Sequence, residues 1–359
     1  MRVLVAMSGG VDSAVAAARL VRAGHDVVGA TLKLWGGESD SGCCSVADVD
    51  DARRVADRLG VDHHTFAYSD EFDRHVVGPY VDAHRRGVTP NPCVECNRHL
   101  KFGVLLERAD RLGFDTVATG HHARIVAGPD GVRRVARGAD VAKDQSYVLA
   151  GLTSERLDRV RFPIGDSPKD DVRREAAALG LRVAAKADSQ DVCFITRADG
   201  RARFLARRLP LTAGVVVDGG GRPVGRVPAV ETVTIGQRRG LGLAGGAEPR
   251  YVVATDPATA TVTVGTEADL RVARQPLADL GWAAGPVDGP LDWQVSAHGA
   301  VRRGAWDGGA VAWERPERRV APGQVVVAYS GDVVVGWGTA APVQDVRTDQ
   351  AIEPHPLGA

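Results

Sequence analysis

Hydrophobic and polar positions in the first half of the chain follow two periods, which predict strands and helices in alternation. Short apolar runs at Val3–Ala6 and Val27–Leu32 predict buried strands. Apolar side chains recur every three or four positions between Val46 and Leu59, which predicts an amphipathic helix. Further elements are predicted as a helix ending near residue 23, a strand at 64–67, helices at 72–84 and 99–112, and a strand at 116–118. This alternation favours an α/β fold with a doubly wound parallel sheet, which binds ligands beyond the C-terminal ends of its strands.

The pattern changes near residue 211, where short β-type runs are separated by clusters of Gly, Pro and Asp. These features are typical of antiparallel sandwiches and barrels. Strands are predicted at 215–217, 232–235, 251–255, 261–264, 310–313, 325–329 and 332–337. We therefore expect the second half of the chain to form β-rich domains that are separate from the parallel sheet.

The strongest chemical signal is the octet Ala-Met-Ser-Gly-Gly-Val-Asp-Ser at residues 6–13, between the first predicted strand and the first helix. Its two glycines allow a sharp turn and leave backbone amides uncovered. With the hydroxyl groups of Ser8 and Ser13 and the helix N-terminus, these amides suit an anion such as phosphate. The octet is not a Walker loop, because no Gly-Lys-Ser/Thr follows. The simpler alternative is a helix cap with a glycine turn.

Three of the five cysteines lie in two segments of unusual composition. Residues 89–97, Thr-Pro-Asn-Pro-Cys-Val-Glu-Cys-Asn, hold Cys93 and Cys96 beside two prolines, which predicts a structured loop. Cys193 lies in Asp-Ser-Gln-Asp-Val-Cys-Phe, residues 188–194. Thiolates serve as nucleophiles, sulfur carriers or metal ligands. By its apolar surroundings alone, Cys193 would equally suit a buried core thiol.

Composition limits the class of protein. A chain of 359 residues predicts two or three domains, and no apolar stretch approaches the roughly 20 residues of a membrane helix. The N-terminus suggests a strand and not a signal peptide, and the odd number of cysteines argues against a secreted disulfide scaffold. We therefore expect a cytoplasmic protein with functional thiols. The 45 basic and 45 acidic residues exclude a uniformly basic nucleic-acid binder, so any RNA site would be a local patch.

Taken together, these segments resemble the bacterial tRNA-specific 2-thiouridylases, PP-loop ATP-pyrophosphatases that place sulfur on the wobble uridine of certain tRNAs. The resemblance covers nearly the whole chain in the family's order. Its pieces are SGGVDS at 8–13, TPNPCVECN at 89–97 followed by Lys101-Phe102, ATGHHAR at 118–124, KDQSYVL at 143–149, DSQDVCFI at 188–195, TIGQRRGLG at 234–242 and PGQ at 322–324. It implies a PP-loop domain at 1–195, a linker domain at 196–272 and a tRNA-contacting β-barrel at 273–359.

The resemblance also implies which residues act. ATP, with Mg²⁺, would be bound by Ala6, Met7, Ser8, Gly9, Gly10, Val11, Asp12, Ser13, Leu32 and Gly120. The target base would meet Asn91, Pro92 and Cys93, and tRNA would contact His121, Lys143, Asp144, Gln145, Arg302, Arg303 and Gln324. Asp12 is a candidate contact for Mg²⁺, and it would also be favourable as an acidic residue near a helix N-terminus.

In the family, the cysteine that matches Cys96 is the nucleophile and the one that matches Cys193 carries a persulfide. ATP would adenylate the C2 oxygen of uracil, turning it into a leaving group. Cys96 would then attack the persulfide, releasing hydrosulfide and forming a transient Cys96–Cys193 disulfide, or would attack the activated base. The two cysteines are 97 positions apart, so only the fold can bring them together.

Several alternatives remain open at this point. Well-studied members often have Asp where this chain has Cys93, and three cysteines could hold an iron–sulfur cluster. A structural zinc would need a fourth ligand, such as His99 or His121. We favour persulfide chemistry, with a cysteine desulfurase or sulfur-relay protein as donor, a monomeric enzyme and no membrane. From other classes, an amidotransferase-type ligase would not need Cys96 or Cys193, and a non-catalytic RNA-binding or iron–sulfur protein would not need an intact octet.

Overall fold

The computed structural model describes residues 1–34, 45–188, 192–195, 200–244 and 248–343. Cys43 and Cys44, to which we assign no role, lie outside the described residues, as do positions 189–191 of the segment that precedes Cys193. No helix in the described part of the chain is long and apolar enough to cross a membrane.

The N-terminal part is built on five parallel strands and one additional hairpin. The strands are β1 Arg2–Ala6, β2 Asp26–Lys33, β3 His63–Ala67, β4 Thr116–Thr119, β5 Ala123–Ala127, β6 Arg133–Arg137 and β7 Val160–Arg161. The parallel sheet has the order β3-β2-β1-β4-β7. Val3 and Val5 enter one hydrophobic core and Leu4 enters another, because successive side chains of a strand face opposite sides. The sheet is therefore covered on both faces, as predicted.

The described helices are α1 Val11–Arg22, α2 Val46–Leu59, α3 Ser69–Phe72, α4 Gly78–Arg85, α5 Pro92–Glu95, α6 Leu105–Arg111, α7 Ser154–Asp158, α8 Lys169–Ala178 and α9 Gly200–Ala206. The helical segments at 11–22, 46–59, 69–85 and 96–111 lie close to predicted positions, whereas α7, α8 and α9 were not predicted. The loop predicted at 89–97 is wrong in part, because α5 accepts Pro92 at its first position, where a missing amide costs no hydrogen bond. Wider π-helical turns at Asp73–Val77 and Cys96–Val104 join α3 to α4 and α5 to α6. Ser45 caps α2 by accepting a hydrogen bond from the Asp48 amide, and Gly60 ends it in a left-handed conformation.

The central domain has four strands, β8 Gly214–Val217, β9 Pro223–Val227, β10 Tyr251–Asp256 and β11 Thr261–Gly265, in the order β10-β11-β8-β9. The pair β8–β11 is parallel and the other two pairs are antiparallel. The strand predicted at 232–235 is wrong. A 3₁₀ turn at Val230–Thr232 occupies its start, and Val230 and Val233 reach the core of this domain from that turn and the loop after it.

The C-terminal domain is a closed antiparallel barrel of six strands. These are β12 Arg271–Trp282, β13 Pro290–Gln294, β14 Arg302–Trp306, β15 Ala310–Arg318, β16 Val325–Ser330 and β17 Val333–Ala340. Pairing of β12 with both β15 and β17 closes the barrel around a core that includes Trp293, Val311 and Val326. The architecture of α/β domain, small central domain and β-barrel is thus confirmed, while the boundaries at 195 and 272 stay predictions.

The hairpin β5–β6, which the sequence did not predict, joins the barrel to the α/β domain. Its second strand pairs antiparallel with β17, so the sheet of the barrel continues into the N-terminal domain. The Arg137 amide donates to the Asp332 carbonyl at 2.9 Å, and the Tyr147 hydroxyl donates to the Val325 carbonyl at 2.7 Å. Because β5 follows β4 closely, these contacts hold the barrel beside the C-terminal ends of the parallel strands.

Candidate active site

A cavity of about 400 Å³ opens beyond the C-terminal ends of β1, β2 and β4, where the parallel sheet was expected to bind ligands. Most of the predicted site residues line it: Ala6, Met7, Ser8, Asp12, Ser13, Leu32, Pro92, Cys93, Cys96, Gly120, His121, Lys143, Asp144, Gln145 and Cys193. The predicted residues that do not line it are Gly9, Gly10, Val11, Asn91, Arg302, Arg303 and Gln324. The fold therefore brings the octet and the three cysteines to one site.

The octet forms a tight loop between β1 and α1. Gly9 has φ 70°, and a Cβ there would lie 2.2 Å from the Asp48 carbonyl oxygen, so only glycine fits. The Ser8 amide donates to Ser13 Oγ at 3.2 Å, and Ser13 Oγ donates to the Gly10 carbonyl at 3.1 Å. Gly10 provides no side-chain cap for α1. The amides of the first turn therefore remain available to an anion.

Gly120 permits a close approach between the end of β4 and the start of α1. A Cβ on Gly120 would lie 2.5 Å from the carbonyl carbon of Asp12 and from the amide nitrogen of Ser13. Any larger residue would push the helix N-terminus away from the sheet. The predicted ATP-binding position is thus in direct contact with the backbone of the octet.

Asp12 belongs to a charged network that links the octet to the segment before Cys193. Its carboxylate accepts from His122 Nε2 at 3.1 Å and from Lys169 Nζ at 2.6 Å. Lys169 is buried and also contacts Asp188 Oδ1 at 2.9 Å. Burial alone would raise the pKa of Asp12, but the hydrogen bonds from His122 and Lys169 outweigh burial and lower it. Asp12 is therefore held as a carboxylate.

A second lysine, Lys186, does not line the cavity but contacts the octet through the Gly9 carbonyl. Lys186 Nζ donates to the Gly9 carbonyl at 2.9 Å, to Asp48 at 2.6 Å and to Asp51 at 2.7 Å. It lies two residues before Asp188, so it ties the loop to the start of the segment that leads to Cys193. The sequence interpretation assigned no role to Lys169 or Lys186. The rarity of lysine could have drawn attention to both residues. The chain has five lysines among its 45 basic residues, and four of the five lie at this site.

The three cysteines reach the cavity from two segments. Asn91 Oδ1 accepts from the amides of Cys93 and Val94 and so caps the short helix α5, which places Cys93 and then Cys96. Cys96 is buried and the other two thiols are partly buried. Beside Cys193, the Phe194 ring packs in an aromatic cluster, with ring centroids 5.6 Å from Phe72, 5.5 Å from Tyr80 and 5.1 Å from Phe204.

The described residues do not present a metal site. No three His, Cys, Asp or Glu side chains among them converge as ligands, so the cysteines as arranged here do not fit a cluster or a structural zinc. Three acidic residues line the cavity, and each already pairs with at least one lysine or arginine. Asp12 meets His122 and Lys169, Asp144 meets Arg137, and Asp188 meets Lys143, Lys169 and Arg173. Asp12 therefore does not fit a role as a ready ligand for Mg²⁺.

The residues predicted to contact tRNA from the α/β domain differ in their surroundings. Lys143 is exposed at the cavity and forms an ion pair with Asp188 at 2.8 Å. Asp144 is buried, and its carboxylate accepts from the amides of Gly138 and Ser146, which gives it a structural part in this loop. Gln145 Oε1 accepts from the His122 amide at 2.9 Å. A direct contact of these side chains with tRNA stays a prediction.

The barrel reaches the cavity through residues that the sequence interpretation missed. Arg302 and Arg303 lie on β14, where they pair with Glu317 and Asp292. The loop between β13 and β14 instead brings Ala297 and His298 to the cavity wall. Gln294 holds this loop, because its Nε2 donates to the carbonyls of Ser296 and Ala297 at 3.0 Å. No motif in the sequence marked this loop.

Gln324 connects the barrel to the residues that precede α5, the short helix that carries Cys93. Its Nε2 donates to the Thr89 carbonyl at 2.7 Å, and the Thr89 amide donates to the Pro322 carbonyl at 2.8 Å. Gly323 lies so close that a Cβ there would be 2.3 Å from a methyl group of Val88. The Pro-Gly-Gln turn at 322–324 thus supports Val88 and Thr89, which lead into α5, and the contact of Gln324 with tRNA stays a prediction.

Three family models match the chain in order. Residues 1–197 match the tRNA methyl transferase HUP domain, residues 202–266 the tRNA methyl transferase PRC-barrel domain, and residues 294–340 the aminomethyltransferase beta-barrel domain. A solved U34-tRNA thiolase, NcsA of Methanococcus maripaludis, is only 16% identical with a TM-score of 0.34, over 58% of this chain and 63% of that one. That likeness is too low to carry an inference about chemistry.

Curated relatives are far more similar. The tRNA-specific 2-thiouridylase MnmA of Mycolicibacterium gilvum is 49% identical over 94% of this chain and 99% of its own length. The enzyme of the same name from Mycobacteroides abscessus is 48% identical over 94% and 98%, and that of Mycobacterium tuberculosis is 47% identical over 97% and 98%. Identity at this level along nearly the whole of both chains shows that this chain belongs to the family of the tRNA-specific 2-thiouridylases.

Proposed function

We propose that this protein uses ATP to replace the C2 oxygen of the wobble uridine of tRNA with sulfur. The observation that carries the proposal is the shared cavity, in which Cys96 and Cys193 meet the Ser8–Ser13 loop although they are far apart in sequence. The relatives are tRNA-specific 2-thiouridylases, which supports this substrate class, and the cavity holds a loop suited to phosphate together with the thiols that the reaction would need.

The octet would bind the phosphates of ATP. The uncapped N-terminus of α1 and the tight Gly9 turn offer amides to phosphate oxygens, and the buried Lys169 adds a positive charge close to Asp12. The C2 oxygen of uracil would attack the α-phosphorus, and pyrophosphate would leave. The base then carries AMP on that oxygen, which makes the oxygen a good leaving group. Any Mg²⁺ would have to be held mainly by ATP, since the cavity carboxylates are already paired.

The cysteines would supply the sulfur. Cys193 would receive a persulfide from a cysteine desulfurase or relay protein. The Cys96 thiolate would attack the Cys193 sulfur, which breaks the sulfur–sulfur bond, forms a Cys96–Cys193 disulfide and releases hydrosulfide. Hydrosulfide would attack C2 and expel AMP, and an external thiol would reduce the disulfide for the next cycle. In the second route that the family leaves open, Cys96 attacks the activated base directly.

The tRNA would enter between the α/β domain and the barrel. Lys143 at the cavity mouth would exchange its Asp188 partner for a phosphate of the anticodon arm. The β13–β14 loop, with His298 at the wall, would contact the RNA from the barrel side. Pro92 and Cys93 line the cavity beside Cys96, so they would border the target base.

An iron–sulfur route to the same product is the second candidate that the sequence left open. It would need Cys93, Cys96 and Cys193 as ligands of one cluster, and the described residues offer no such convergence. An amidotransferase-type ligase would need neither Cys96 nor Cys193, although both line the cavity. Of these alternatives, sulfur transfer from a persulfide is the one that gives a role to the octet, to Cys96 and to Cys193 without requiring a metal site.

The proposal is tested in cells that lack the gene for this protein. Nucleosides from their total tRNA are analysed by mass spectrometry, before and after the wild-type gene or the Cys96→Ser gene is returned. We expect 2-thiouridine derivatives at the wobble position to disappear and to return only with the wild type. Unchanged 2-thiouridine in the deleted cells would contradict the proposed function.

A further inference from the structure

Lys101 differs from the other lysines at the site. Lys143, Lys169 and Lys186 each form ion pairs with carboxylates at 2.6–2.9 Å. Lys101 also lines the cavity, yet it forms no ion pair with any residue that the structure describes. Its hydrogen-bonding partner is His121, with Nζ 3.5 Å from Nε2. A half-buried ammonium beside reactive groups without a counter-charge is a candidate partner for an anion that forms during the reaction.

His121 cannot supply that counter-charge. Its ring is buried, and burial followed by the charge of Lys101 lowers the pKa of His121 well below its usual value. Nδ1 lies 2.7 Å from Thr119 Oγ1. With Nδ1 protonated toward Thr119, Nε2 offers a lone pair to the Lys101 ammonium, so the neutral ring positions the lysine without neutralising it.

The local helix geometry brings Lys101 and Cys96 to the same side. In an α-helix, residues five apart point about 140° away from each other. Residues Cys96–Val104 instead form a π-helical segment that is kinked at Phe102, whose φ of −117° and ψ of 16° are not helical. Its end shows the wider spacing, because the Leu105 amide donates to the Leu100 carbonyl five positions earlier. Where a turn closes between residues five positions apart, the side chain at position i+5 returns toward the side chain at position i. Cys96 and Lys101 accordingly both line the cavity.

We propose that Lys101 is a positioning residue that keeps Cys96 as a thiolate, with the lysine held in place by His121. The Cys96 thiol gives its proton to solvent, and the ammonium balances the charge left on sulfur. This assignment rests on the proposed function, in which Cys96 is the attacking thiolate. It explains why a buried cysteine can react, since burial in apolar surroundings by itself disfavours the thiolate.

The test is the pH dependence of the alkylation of Cys96 by iodoacetamide, followed by peptide mass spectrometry in the full-length protein without ATP or tRNA. A Cys93→Ser background separates Cys96 from its neighbour in the same peptide. In Lys101→Met we expect the apparent pKa of Cys96 to rise by about one unit, which lowers the rate near neutral pH about tenfold. Lys101→Arg should restore most of the reactivity.

Lys143→Met is the matched control, because it removes another cavity lysine that is already paired with Asp188, and we expect it to leave the profile of Cys96 unchanged. Lys101→Gln, which keeps a polar chain, provides a second variant should Lys101→Met not fold. An unchanged profile in a folded Lys101 variant would overturn the inference. A shifted profile would support it even if the wild type fails to thiolate tRNA, so the two proposals fail separately.

Discussion

Lys169 Nζ lies 2.6 Å from Asp12 Oδ2 and 2.9 Å from Asp188 Oδ1, so one buried ammonium joins the octet to the segment that leads to Cys193. The two carboxylates come from the first helix and from the loop near residue 188, more than 170 positions apart. Without the lysine, Asp12 would keep only His122 among these partners and Asp188 would keep Lys143 and Arg173, so less positive charge would offset the two carboxylates beside a bound nucleotide. The proposed ATP site therefore depends on a residue outside the octet.

Replacing Lys169 by Met should weaken ATP binding at least tenfold and lower the free energy of unfolding by about 2 kcal/mol, because a charged network loses its central cation. Titration with ATP and urea denaturation measure the two effects. Lys33→Met is the matched control, since Lys33 is exposed at the end of β2 and does not line the cavity. Equal ATP affinity in Lys169→Met and wild type would remove Lys169 from the nucleotide site.

Replacing Gly9 by Val should abolish the release of pyrophosphate, because a side chain there would collide with the Asp48 carbonyl and the residue would also have to adopt φ 70°. The loop would move, and its amides would no longer meet phosphate. Pyrophosphate release in the presence of tRNA is the measurement. Gly219→Val, where a Cβ meets nothing within 4 Å, should keep the wild-type rate. Normal release by Gly9→Val would contradict the phosphate-loop assignment.

The unfolding free energy should fall as the pH drops below 6.5, partly through His84. Burial lowers the pKa of His84 to about 4, although a bond to the Glu231 carbonyl opposes this. Between pH 6.5 and 4 the unfolded chain binds a proton at this histidine and the folded chain does not, so stability is lost as the pH falls. The full effect of this one group is about 3 kcal/mol.

Urea denaturation at several pH values, with His84→Phe as the comparison, isolates this contribution. At neutral pH the variant should have a lower free energy of unfolding than the wild type, because it lacks the hydrogen bond to the Glu231 carbonyl. Between pH 6.5 and 4, however, its free energy of unfolding should fall less steeply than that of the wild type. Parallel pH profiles of the two proteins would show that His84 does not carry the dependence.

Local periodicity was enough to predict the elements that position the octet. The apolar spacing at 46–59 marks α2, whose bounds match the structure, and the apolar run at 3–6 marks β1. Such patterns report which face of an element is buried, and that information is local. They also placed Ser8 and Gly120 just after parallel strands, which is where the cavity lies.

Features that depend on distant partners were missed. The strand Arg133–Arg137 is rich in arginine and is recognisable as a strand only because it pairs with β5 and with Val333 of the barrel. The ion pairs of Arg302 with Glu317 and of Arg303 with Asp292 also depend on partners from other strands, and contact of these arginines with RNA stays a prediction. Lys169 and Lys186 act across 157 and 177 positions, which no local pattern reveals.

In the proposed reaction, Cys96 and Cys193 together deliver sulfur to C2 of the wobble uridine. The most direct measurement is the formation of 2-thiouridine, detected by mass spectrometry, in unmodified tRNA that is incubated aerobically with iron-free protein, ATP, a cysteine desulfurase, cysteine and a thiol reductant. We expect product with the wild type, little loss in Cys93→Ser, and none in Cys96→Ser or Cys193→Ser. Activity that requires iron and is abolished equally in all three variants would contradict the persulfide account.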